Sequence, residues 1–277
     1  MNVHHVMAHA RTWRRNRKKL KRLQNSEVVL LRYPKSGVTW LRVMITNIYR
    51  CRFGEAGSEI VGRSAFHARC DRVPNMFVCM DNFGLSRQEL NKRLESKRVI
   101  LLLRDPRDVV ISHYFSFSKR ATPVERIVNG VPDSVEADGP YKFAVHPEFG
   151  MPRIINFMNY WFTAVRNHQA TLIVRYEDLR RNTIDAFTPV MKALLPDVTR
   201  EEIEGAVAAS EFDRMKKMEA EGSFGLDILK PRSKNEGDSY KVRRGKIGGY
   251  ADYLSANEKA VLDRMVAETI NPEIGYS

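Results

Sequence analysis

The chain has 277 residues, 43% hydrophobic and 29% charged, with a mean hydropathy of −0.41. That suits one large α/β domain or two small ones and excludes a membrane-spanning chain, because no apolar run approaches the ~20 residues a bilayer requires. The net charge is +13, and residues 1–25 account for eight of those charges without a single acid, so the remainder is only mildly basic, as suits an anionic small substrate.

Residues 1–25 read as a basic arm, helix-prone from about residue 10 to 24. Such an arm is either a solvated helix leading into the domain or a contact for an anionic membrane, an acidic partner or nucleic acid, the last being the weakest reading. Its basic stretch leads to no apolar segment of the secretory kind. Cys51, Cys70 and Cys79 sit at no metal or redox spacing and read as reduced thiols. Together these place the protein in the cytoplasm, with peripheral attachment to a membrane surface left open.

Residues 26–277 read as a single domain. "EVVLLRY", Glu27 to Tyr33, is a short apolar run rich in β-branched residues, the pattern of a buried strand. Pro34 to Gly37 break it, and Thr39 to Tyr49 then show helical spacing, with Trp40, Val43, Met44 and Ile48 on one face. "MFVCM", Met76 to Met80, is a second strand, and residues 60–68 are a candidate for another. Val99 to Leu103 form an interior parallel strand. Asp105 then caps a helix with Pro106 in its first position, and Asp108 serves as a capping carboxylate. "TLIVRY", Thr171 to Tyr176, is a further strand. The insertion at 120–152, rich in proline and glycine, reads as a lid or substrate loop. The aromatics Tyr114, Phe115, Phe117, Tyr141, Phe143 and Phe149 line an apolar pocket or belong to the core. Ser255 and Glu258 form a capping box for the last helix. Strands alternating with helices imply a three-layer α/β fold with a central parallel sheet.

Three anion grips stand out. "RYPKSGVTW" is a strand–loop–helix in which backbone N–H groups, Lys35, Ser36 and Thr39 face an anion. Its lysine precedes its glycine, unlike the nucleotide loop G-x-x-x-x-G-K-[ST]. Arg104 ends an interior strand on the ligand-binding edge, where its fork grips a phosphate. Arg243, Arg244 and Gly245 add a late basic loop. No acidic cluster plainly holds magnesium, so a nucleotide with phosphates at both ends of its ribose fits better than a linear triphosphate.

In this order the motifs resemble those of the PAPS-dependent sulfotransferases, whose donor is 3′-phosphoadenosine 5′-phosphosulfate. "YPKSGVTW" resembles the 5′-phosphosulfate loop, "RDPRDVVIS" the 3′-phosphate site, "VRYEDLRRN" the tyrosine-bearing strand end at the adenine, and "RRGKIGGY" the C-terminal R-x-G-x-x-G loop. The matches run from about residue 26 to 250. The resemblance implies a P-loop-like phosphosulfate-binding loop and no required metal. Lys35 would stabilise the leaving phosphate, and Ser36, Gly37 and Thr39 would hold the 5′-phosphate. Val38, in the same cofactor-binding loop, stands where the family usually has a threonine or a polar residue. Trp40 would stack on adenine, with Tyr176 and Phe212 beside it. Arg104, Ser112, Arg243, Arg244 and Gly245 would hold the 3′-phosphate. Many members use a histidine after the second strand as catalytic base, and His67 is the only histidine between Trp40 and Arg104. Asp71 is the nearest acidic alternative, and His113 reads as packing. The implied reaction is sulfuryl transfer to an acceptor hydroxyl, or less favourably an amine, of a small molecule, lipid or glycan. The rivals are an ATP-using P-loop kinase and a basic nucleic-acid- or membrane-binding protein. The oligomeric state is not legible.

Overall fold

The computed structural model describes residues 17–54, 59–70, 72–80, 83, 85–221 and 245–276. Four strands form one parallel sheet in the order β2-β1-β3-β4: β1 Val28–Arg32, β2 Met76–Cys79, β3 Arg98–Leu103 and β4 Thr171–Arg175. The register pairs Val28 with Met76 on one side and with Arg98 on the other. β1 and β3 are buried along nearly their whole length, because both faces of a parallel sheet are covered by crossover helices. The chain leaves β1 toward β2 on one side and returns to β3 on the other. The crevice between β1 and β3, at their carboxyl ends, is therefore the switch point where open α/β sheets take ligands.

The pleat sorts the core into two layers. Val28, Leu30, Ile100 and Leu102 face α2 (Val38–Phe53), α10 (Thr183–Leu194) and α11 (Arg200–Ala209). Val29, Leu31, Val99 and Leu101 face α4 (Arg87–Leu94), α5 (Pro106–Lys119), α8 (Met151–Val165) and α13 (Ala256–Thr269). The three-layer expectation holds. Residues 17–24 are helical (α1) and dock on the second of these layers through buried Leu23.

Residues 60–68 are not a strand. They turn at Gly62 and enter α3 (Ser64–Arg69). Phe66 and Cys70, one helical turn apart, are both buried in the core. The 120–152 insertion is not an open loop either. It holds α6 (Pro123–Asn129), whose Thr122 and Glu125 make a capping box, and α7 (Val135–Val145). Of the aromatics in and just before it, Tyr114 and Phe117 of α5 and Phe143 and Phe149 of the insertion are core. The capping box of Ser255 and Glu258 on α13 forms as expected.

Candidate active site

The loop after β1 is built by two left-handed residues, Lys35 at φ 75° and Gly37 at φ 87°. Glycine takes that conformation freely, whereas at lysine it is strained, and such strain gathers at binding loops. Gly37 is required twice. A Cβ there would come within 2.5 Å of the Tyr176 ring. α2 starts at Val38 with no acid in its first turn, so its unpaired first-turn amides aim positive partial charge at the crevice.

Arg104 leaves the end of β3 into the same crevice and ties four segments together. Its Nη1 donates to the Lys35 carbonyl at 3.1 Å, and its Nη2 donates to the Lys246 carbonyl at 3.3 Å. Its guanidinium lies 4.2 Å over the Tyr176 ring and 3.5 Å from the Asp108 carboxylate.

Asp105 caps α5 as expected, accepting from the Arg107 amide at 2.9 Å. Asp108 does something the sequence did not show. It is buried, and its two oxygens accept from the backbone amides of Gly248 and Tyr250 at 2.9 and 3.0 Å. Burial pushes its carboxyl up, and Arg104 and the two amides oppose that rise. Asp108 is thus a clamp that draws the late loop over the crevice rather than a helix cap.

Tyr176 opens α9 (Tyr176–Arg181). Its ring meets Trp40 edge-on at 6.1 Å, and the Arg180 guanidinium sits 5.4 Å over the Trp40 ring. Trp40 Nε1 donates to the Ser210 carbonyl at 2.8 Å, which fixes the indole at the mouth of the crevice. These groups surround a cavity of about 340 Å³, the size of a small-molecule site. Lys35, Gly37, Val38, Thr39, Trp40, Arg104, Ser112, Tyr176 and Gly245 all line it.

Other expected residues lie elsewhere. Ser36 is buried and does not line the cavity. His67 does not line it either. The second strand is Met76–Cys79, so His67, on α3, precedes it rather than follows it. Its Nδ1 lies 2.7 Å from the Val73 carbonyl, in the loop entering β2. Asp71, Arg243 and Arg244 fall outside the described residues, and Phe212 begins α12 (Phe212–Glu221), of which Met215 lines the cavity. Sequence reasoning missed Arg32, Arg180 and Lys246, which line the cavity. Arg180 was findable, since it follows Tyr176 by one helical turn.

Residues 25–271 match the sulfotransferase domain family. Among curated relatives, cytosolic sulfotransferase 12 of Arabidopsis thaliana is 23% identical, over 88% of this chain and 77% of its own. The flavonol 3-sulfotransferase of Flaveria bidentis is 21% identical, over 88% of this chain and 82% of its own. The amine sulfotransferase of Oryctolagus cuniculus is 21% identical, over 89% and 81%. The fold is shared with mouse sulfotransferase SULT7A1 complexed with PAP, at a TM-score of 0.59 and 16% identity, covering 91% of this chain and 89% of that one. Retinol dehydratase complexed with androsterone and PAP superposes at a TM-score of 0.60 and 14% identity, over 91% and 85%. The chain belongs to the sulfotransferase domain family, whose chemistry is sulfuryl transfer from PAPS.

Proposed function

We propose that the cavity holds PAPS with its 5′-phosphosulfate on the Tyr33–Thr39 loop and its 3′-phosphate at Arg104 and Ser112. Arg243, Arg244 and Gly245 complete the 3′-phosphate grip, and Trp40, Tyr176 and Phe212 take the adenine. The observation that carries this reading is the convergence of Lys35, Arg104 and the α2 amides on one cavity at the β1/β3 switch point. Among the described residues lining it, the one carboxylate is Asp108, already engaged by two backbone amides.

The acceptor attacks sulfur in line with the bridging oxygen, and Lys35 stabilises the charge that collects on the leaving phosphate. The acceptor is a hydroxyl compound, or less favourably an amine. Relatives named for a flavonol and for amines support a small molecule. The same reading puts the enzyme in the cytoplasm, as the relatives named cytosolic do. Among the described residues no helix is long and apolar enough to cross a membrane.

The test mixes protein, ³⁵S-labelled PAPS and a panel of phenols, aliphatic alcohols and amines, and follows label into the acceptor. Lys35→Ala is expected to abolish transfer. Thermal stabilisation by 3′,5′-ADP but not by ATP is expected, and the reverse preference would favour a kinase and sink the reading.

A further inference from the structure

The donor assignment leaves one side of the crevice unused. In the order β2-β1-β3-β4, the nucleotide takes the β1/β3/β4 side. Its phosphosulfate lies on the loop after β1, its 3′-phosphate at Arg104 and Ser112, and its adenine at Trp40 and Tyr176. In-line displacement puts nucleophile and leaving phosphate on opposite sides of the sulfur. The β2 side is therefore the one left for the acceptor.

That side gathers arginines. Arg42 of α2 donates through Nε to the Val61 carbonyl at 2.6 Å, and Arg22 of α1 donates through Nη2 to the Gly62 carbonyl at 3.3 Å. Arg63 follows in the chain, and both it and Arg22 are exposed. The turn that holds them sits against β2. Gly62 is left-handed at φ 84°, and a Cβ there would come within 2.7 Å of Val78 and 3.4 Å of two Arg42 nitrogens. Val78 pairs with Leu30, two residues before Arg32, so the turn stands about 7 Å along the strands from Arg32. Arg32 lines the cavity. The cluster thus runs from the cavity wall to the open surface.

Holding the turn does not account for these side chains. A neutral donor serves a carbonyl as well, whereas guanidinium charges brought together repel. Arg42 is tied to no carboxylate among the described residues. Burial, with Arg63, Arg32 and Arg22 around it, holds it down at about 9, so it is still charged near neutral pH. A cation in that setting is stabilised by an incoming anion, and the guanidinium fork suits carboxylate, sulfate and phosphate alike.

We propose that Arg32, Arg42 and Arg63, with Arg22 at the outer rim, bind an anionic group carried by the acceptor, so that the substrate is a hydroxyl compound bearing a carboxylate, sulfate or phosphate. This rests on the donor assignment above. The hydroxyl lies at the sulfur inside the cavity, and the anionic end reaches past Arg32 toward the surface. The arginines supply affinity and register and take no part in the bond changes.

The test is calorimetry on the chain saturated with 3′,5′-ADP, at about 0.15 M salt, where long-range attraction is screened. Matched compounds are compared: para-hydroxyphenylacetate and para-hydroxyphenylpropionate against their amides, and N-acetylglucosamine sulfated on its primary hydroxyl against N-acetylglucosamine. At least one anionic member is expected to bind roughly ten- to a hundredfold tighter than its neutral partner. Arg42→Gln and Arg63→Gln should each cut that preference about fivefold or more, with 3′,5′-ADP affinity kept within about threefold. Arg63 is exposed, so its variant carries the test should Arg42→Gln fail to fold. Inorganic sulfate, titrated at constant ionic strength, should displace the anionic member and leave its neutral partner in place. Sulfate that instead strengthens binding of the neutral partner marks a site for a free anion and overturns the assignment to the acceptor. Absence of any preference in every pair, or a preference that survives the substitutions, overturns it as well. Failure of the unsubstituted chain to bind 3′,5′-ADP overturns the donor site itself, and this proposal with it.

Discussion

Gly37 carries two constraints at once, a positive φ and a ring edge where its Cβ would be. Gly37→Ala adds strain of order 1–3 kcal/mol and pushes the Tyr176 ring from its place against Arg104. Nucleotide affinity is expected to fall at least tenfold, read by calorimetry with 3′,5′-ADP. Asp108 is the second residue on which the site turns. Asp108→Asn keeps the size of the side chain but removes the charge facing Arg104, and an amide offers one accepting oxygen to two backbone donors. Weaker 3′,5′-ADP binding is expected, with faster hydrogen exchange at Gly248 and Tyr250. Unchanged exchange at those amides would mean that the loop is held in place by other contacts.

Between elements, Ile274 and Tyr276 brace the candidate site. The Tyr276 hydroxyl donates to Glu177 at 2.7 Å, and the other Glu177 oxygen accepts from the Asp105 amide at 2.9 Å. Arg175 adds two bonds to the Ile274 carbonyl. Tyr276→Phe strands one oxygen of a buried carboxylate, at a cost of about 1–3 kcal/mol, and a lower Tm should show it. On the far side, Arg52 of α2 grips Glu202 of α11 through two bonds of 2.7 and 2.6 Å. Its hydrogen bonds hold the Glu202 carboxyl below the usual glutamate range. The sign follows: this tie is fully present above the ordinary glutamate pKa and is lost as pH falls through the depressed value. Both side chains are partly exposed, so Arg52→Gln is expected to cost about 0.5–1 kcal/mol near neutral pH. The gap from the unsubstituted chain in urea titrations should close as the pH is lowered.

Across the whole molecule, charge does long-range work. The net charge of +13 is joined at the cavity by Arg32, Lys35, Arg104, Arg180 and Lys246. An anionic nucleotide is drawn in by that field, and salt screens it. Raising salt from about 0.02 to 0.2 M is expected to slow 3′,5′-ADP association several-fold in stopped flow, with a smaller change in dissociation.

Much of the candidate site is legible in the chain itself. Buried parallel strands need apolar runs, and helix starts need their caps, so β1, β3, the Lys35–Thr39 loop, Arg104 and Ser112 are visible as local patterns. Local pattern runs out where a residue's role depends on a distant partner. Asp108 reads as a cap because capping explains it locally; its bonds to Gly248 and Tyr250 span about 140 positions. His67 fits by its order between two motifs, and only the fold shows that residues 60–68, a candidate strand, enter α3 instead, so that His67 precedes the second strand. The sequence by itself determined the α/β class and the candidate anion-binding loops, since propensity, periodicity and charge act over a few residues. The tertiary structure alone decided which loops share a cavity and which carboxylate clamps the late loop, because burial and long-range pairing belong to the folded chain.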